Sequence, residues 1–207
     1  MTSDVVIEAG RVEVAPHACF ACGELNAHGL HLELHVSGDA CWTELALRPD
    51  FQGWEGIAHG GIIATILDEV MAWALAGSDA WGYTAKMSIE YRRPVRVGAR
   101  IRGEGQVLEK RRRLLRTSGR LVDPATGEVF ATAEGLYVAA PAERRDELKA
   151  RYGFRLTPAA GDPAAPPAPG AMAAAGDPAR GAPEPAAGAL DPAPGAAAPA
   201  PGSGTPS

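Results

Sequence analysis

The sequence predicts an α+β domain in which an antiparallel sheet packs on one long helix. Three observations carry this reading. After His59 the apolar residues Ile62, Ile63, Ile66, Leu67, Val70, Met71 and Ala74 keep the i, i+3, i+4, i+7 spacing of an amphipathic helix. Strand-like runs flank that helix, two before it and four after it. Turn residues separate those runs at hairpin distance, so the strands follow one another antiparallel.

In chain order, residues 1–18 show no clear pattern and form an N-terminal segment. His31–Val36 and Cys41–Leu47 alternate as strands around the turn Ser37-Gly38-Asp39. Arg48–Ile57 is a loop rich in glycine and aromatic residues, and it leads into a helix over Gly60–Ala76. Gly77-Ser78-Asp79 ends the helix. The strands that follow are Thr84–Arg92, Ala99–Glu109, Leu114–Val122 and Val129–Val138, with Asp123-Pro124-Ala125-Thr126-Gly127 as the last turn. Arg100 and Arg102 alternate as a solvent-facing row. Residues 19–140 thus make the domain, and 141–157 hold a short surface helix at Pro141–Tyr152. Residues 158–207 are almost wholly Pro, Ala and Gly, too poor in apolar surface to offset ordering entropy, and are expected to be a disordered tail.

Composition narrows the function. The net charge of −5 owes much to the tail, where Asp162, Asp177, Glu184 and Asp191 face only Arg180. The domain is close to neutral, which argues against a general nucleic-acid binder. No stretch is expected to span a membrane, and no basic-then-apolar leader opens the chain. Three cysteines, Cys19, Cys22 and Cys41, fit a reducing cytoplasm.

Two features of the helix carry chemistry. His59-Gly60-Gly61 leaves bare N–H groups at its start, where the dipole favours an anion or a developing oxyanion. Asp68 stands in its third turn among apolar positions, a costly place for a carboxylate without partners or a task. Glu69 follows, about 100° round the helix, so only one of the two can face a given cleft. Together they point to acyl-transfer chemistry. Cys19-x-x-Cys22 admits zinc, with His28, His31, His35 and Cys41 downstream, but paired spacing is lacking and no metal is expected. Trp54, Met71, Trp73 and Trp81 either line an acyl pocket or pack in the core.

From Cys19 to Val138 the sequence resembles a hotdog-fold acyl-CoA thioesterase of the PaaI type, within the 4-hydroxybenzoyl-CoA thioesterase superfamily. The likeness rests on Cys-Phe-Ala-Cys-Gly at 19–23, Gly29-Leu30 and Gln52-Gly53. It extends through His59-Gly60-Gly61 with Asp68 nine residues after the histidine, Thr84, and Tyr91-Arg92-Arg93-Pro94. It implies an antiparallel sheet wrapped round the central helix and hydrolysis of an acyl-CoA to an acid and free thiol, without a cofactor. Asp68 corresponds to the carboxylate that attacks the thioester carbon or activates water. Gly60 corresponds to the N–H that stabilises the oxyanion, a contact typically worth ~3 kcal/mol. His59 positions the thioester and its loop, Gly61 adjoins it, and Thr84 assists the carboxylate. Relatives carry Asn six residues before the histidine; Gly53 stands here, with Gln52 as polar neighbour.

The resemblance further implies a homodimer, or a dimer of dimers, in which Asp68 faces His59-Gly60 of the partner. Coenzyme phosphates would meet Arg92, Arg93, Arg96, Lys110, Arg111 and Arg112. Two other readings stay open: an enoyl-thioester hydratase or dehydratase on the same fold, and a non-catalytic acyl-CoA-binding protein. The acyl group, and coenzyme A against a carrier protein, are undetermined.

Overall fold

The computed structural model describes residues 10–157, so the expected tail at 158–207 lies outside the described residues. The strands are β1 (Gly10–Glu13), β2 (His35–Ser37), β3 (Ala40–Ala46), β4 (Gly82–Tyr91), β5 (Arg100–Arg111), β6 (Leu114–Val122), β7 (Val129–Ala139) and β8 (Arg155–Thr157). The helices are α1 (Gly60–Gly77) and α2 (Ala142–Tyr152). All strands join one antiparallel sheet in the order β4-β7-β6-β5-β3-β2-β1-β8. α1 packs against β2 to β7, the predicted architecture.

Glycines let the helix approach the sheet so closely. A Cβ on Gly105 would stand 2.4 Å from the Val70 carbonyl, and one on Gly103 would meet Ile66 at 2.8 Å. With no side chain at 103 or 105 beneath it, α1 lies close on β5 and buries Ile63, Ile66, Leu67, Val70, Met71 and Ala74. By length and composition α1 could cross a membrane, contrary to expectation, yet that surface is largely domain core here.

Three expectations need correction. The first predicted strand starts at His35, not His31, because the N–H groups of Leu30 and Leu32 donate to Phe20 and Ala21 carbonyls. That pairing ties residues 30–32 to the Cys-x-x-Cys loop instead of the sheet. β1 and β8 were not foreseen; they pair with each other across the chain, Arg11 opposite Thr157. Arg102 is not solvent-facing. It is buried and donates to Glu104 at 2.8 Å and to Glu44 at 3.1 Å, while Arg120 also bonds Glu104. Paired charges of this kind tolerate burial that single ones do not.

Candidate active site

Asp68 faces the β4–β7 edge of the sheet. Its Oδ1 accepts a hydrogen bond from Thr84 Oγ1 at 2.8 Å and another from Tyr137 Oη at 2.8 Å. Thr84 and Tyr137 are direct cross-strand partners, and a bulge in β4 follows Thr84, a common device for aiming a side chain. Among the described residues nothing engages Oδ2, which is left for a substrate or water. Burial, and then the Asp68 charge, push the Tyr137 phenol far above its ordinary range, so it remains a donor.

The structure brings together Asp68 and Thr84, both named from the sequence, with Tyr137, which was not. A signal was present: Ala131, Ala133, Gly135 and Tyr137 alternate as the inward row of a strand, and a buried tyrosine needs a partner for its hydroxyl. Gly135 makes the space, since a Cβ there would lie 2.7 Å from the Tyr137 ring.

The start of α1 forms a second group. His59 is the N-cap, and its Nδ1 accepts from the Gly61 N–H at 2.9 Å. The Ile62 N–H donates to the His59 carbonyl. No hydrogen bond engages the Gly60 N–H among the described residues. Tyr91 Oη donates to the Gly60 carbonyl at 2.9 Å and ties the end of β4 to this turn. Gln52 Oε1 accepts from the Gly56 N–H at 3.1 Å, so its carboxamide braces the 52–56 loop. Gly53 lies against His59, where a Cβ would approach the His59 Cα to 3.2 Å; an asparagine side chain has little room there.

The predicted basic residues fall into two places. Arg92, Arg93 and Arg96 flank the start of α1, where the Ala58 N–H donates to the Val95 carbonyl. Lys110, Arg111 and Arg112 sit at the β5–β6 turn, beside the opposite end of β4. Tyr83 and Arg92 mark those two ends, about 30 Å apart along the strand. One chain does not bring both groups to one ligand. Four of the six also engage acids: Arg92–Glu90, Arg93–Glu128, Lys110–Asp39 and Arg111–Glu109.

Glu69 turns away from this site, as the helical offset requires. Its Oε1 accepts from Trp73 Nε1 at 2.9 Å, and burial lifts its carboxyl to about 7. Trp73 packs on Trp81 and Phe154, and Met71 is fully buried, so these belong to the core. Trp54 is 85% exposed.

Comparison with known proteins agrees with this geometry. A sequence model described as Thioesterase superfamily matches residues 55–130. Acyl-coenzyme A thioesterase 13 of Homo sapiens and that of Pongo abelii are each 35% identical over 90 residues. The match takes in 42% of this chain and 64% of each relative, so the chain spans under two thirds of their length. Among solved structures, a thioesterase superfamily protein is 30% identical with a TM-score of 0.55, over 58% of this chain and 59% of that one. Zebra fish thioesterase superfamily member 2 shares the fold at 23% identity and a TM-score of 0.51, over 56% of this chain and 89% of its own. Residues 55–130 are thus similar to the thioesterase superfamily, and the sheet and helix they help to build share the fold of these solved structures.

Proposed function

We propose that the protein hydrolyses an acyl thioester of coenzyme A to a carboxylic acid and free thiol. The observation that carries this is Asp68, fixed at one oxygen by Thr84 and Tyr137 and open at the other. In the water route, Oδ2 takes a proton as the water oxygen bonds to the thioester carbon. The carbonyl oxygen gains charge and is met by the Gly60 N–H at the positive end of α1. Collapse breaks the carbon–sulfur bond, and the proton passes from Asp68 to the departing thiolate. Direct attack by Asp68 gives an anhydride that water then opens, with the same products.

The two halves of this machinery come from different chains. Gly60 and Asp68 of one chain are eight residues apart, about 12 Å along the helix. A reacting carbonyl must lie about 3 Å from both, so a second copy, its helix antiparallel, supplies the oxyanion donor. The smallest assembly is a homodimer with shared sites. Arg92, Arg93 and Arg96 stand beside that donor and suit the coenzyme's phosphates, with Arg96 in no ion pair among the described residues. The proposed compartment is a reducing one, which suits a chain with three cysteines, an odd number.

Free-thiol release from aromatic, short, medium and long acyl-CoAs tests the activity. Release from any of them establishes hydrolysis. Loss of enoyl absorbance without thiol overturns it in favour of hydration, and binding without turnover overturns it in favour of a carrier.

Gly60→Pro isolates the donor. Gly60 is the first helical residue, where proline is tolerated, and His59 already has the extended backbone that precedes proline well (φ −66°, ψ 133°). The variant should fold and lose about a hundredfold in kcat. Mixing it with Asp68→Asn chains should restore activity through hybrid dimers; no recovery after subunit exchange would place both groups in one chain's site. Tyr137→Phe removes one hydrogen bond to the carboxylate and should lower kcat about tenfold with the fold intact. Circular dichroism and thiol release check both parts.

A further inference from the structure

The Cys-x-x-Cys loop meets α1 at Glu69, about 100° round the helix from Asp68. Cys19 Sγ, Cys22 Sγ and a Glu69 carboxylate oxygen all lie within 4.8 Å of one another. Cys19 Sγ is 4.0 Å from Glu69 Oε1, and His17 Nε2 is 3.9 Å from Cys22 Sγ. We propose that Cys19, Cys22 and Glu69, with His17 as fourth donor, bind a zinc ion that ties the entry loop to the central helix.

Loop geometry favours it. The Gly23 N–H donates to the Cys19 carbonyl at 3.0 Å and closes a tight turn that brings both thiols to one side. Only glycine fits there, since a Cβ at 23 would lie 2.4 Å from the Cys19 nitrogen and 2.5 Å from the His17 carbonyl.

The chemistry of the set points to zinc. Two sulfurs, an imidazole and a carboxylate are all established zinc donors. A tetrahedral ion with bonds of about 2.3 Å to sulfur and 2.0 Å to nitrogen or oxygen needs ligand separations of about 3.5–3.8 Å. The 3.9 and 4.0 Å separations are near that, while His17 lies outside the mutually close set of three and its ring must turn in to complete the tetrahedron. No Lys or Arg pairs with Glu69 among the described residues, so the His17 imidazole is the one basic group beside three groups able to carry negative charge. A divalent cation removes that conflict. A cleft of about 450 Å³ lined by His17, Cys22, Glu24 and His31 opens beside the cluster and gives an ion access. Ligation through His17 Nε2 puts the ring proton on Nδ1, so the 3.3 Å contact from the Cys19 N–H must open. None of His28, His31, His35 and Cys41 is in the three-ligand set.

The test is metal content of the full chain purified under reducing conditions, followed by cobalt reconstitution of chelator-stripped protein. About one zinc per chain is expected, falling at least tenfold in Cys19→Ser and Cys22→Ser. His17→Gln should weaken retention against a competing chelator without abolishing it. Cobalt should give thiolate charge-transfer absorption and tetrahedral visible bands in the wild type, a readout that does not depend on any variant folding. Zinc no higher in the wild type than in the double serine variant would overturn the site. So would cobalt uptake without the thiolate band, or a Cys19–Cys22 disulfide whose reduced form takes up neither metal. None of these readouts involves thioester turnover, so the site stands or falls apart from the proposed hydrolysis.

Discussion

Asp68→Asn is expected to lower kcat about a thousandfold while leaving the protein folded and assembled. Asparagine has the shape of aspartate and keeps an oxygen that accepts from Thr84 and Tyr137, so the hydrogen bonds at Oδ1 survive. What is lost is the charge at Oδ2, and with it the nucleophile or the proton acceptor. General-base roles alone are worth about 10²–10⁴ in rate. KM should change little, because the carboxylate acts on the carbonyl rather than on the coenzyme. Thiol release beside circular dichroism and a sizing column separates chemistry from folding. Turnover at the wild-type rate would remove Asp68 from the mechanism.

Gly105→Val should have the largest effect on stability. The new Cβ would fall 2.4 Å from both the carbon and the oxygen of the Val70 carbonyl and 2.6 Å from the Met71 nitrogen. These are backbone atoms of α1, so no rotamer change relieves the clash and the whole helix must lift. A loss of about 3 kcal/mol or more follows, a fall of about 10 °C in Tm. Against a typical total of about 5–15 kcal/mol the variant is near its limit. Gly127→Ala is the contrast: its Cβ meets nothing within 4 Å, and only the left-handed φ of 75° resists it. That change should lose about 1 kcal/mol. Equal Tm losses in the two variants would show that helix–sheet approach is not what position 105 protects.

Much of this was legible in the residues. The helix and the five longer strands, β3 to β7, carry enough periods of 3.6 or 2 to be read singly, and Leu114–Val122 matches β6 end to end. β1 and β8 were not, because four and three residues carry no period and their pairing joins distant parts of the chain. His31–Leu34 alternates like a strand, yet its backbone is taken by the Cys19–Gly23 loop, a tertiary choice that local pattern does not encode. Arg102 misled because an ion-paired row and a solvated row have the same alternation. In the site, Asp68 stood out as a charge in an apolar stretch. Tyr137 did not, because tyrosine is an ordinary strand residue until its hydroxyl is located. The basic residues were assigned in two groups to one coenzyme in a dimer, and within one chain those groups lie at opposite ends of β4.

The sheet order also dictates when the protein can begin to work during synthesis. β4 follows α1 in the chain, but its neighbour in the sheet is β7, made some forty residues later. Until the ribosome has released residue 137, Thr84 has no strand to lie against and the Asp68 carboxylate lacks half of what orients it. A nascent chain ending in β6 already holds the residues of the Cys-x-x-Cys loop and the whole central helix, yet it remains inert. Release of the last long strand is therefore the step that completes the support of Asp68 within one chain, and it is also the step that covers one edge of β4.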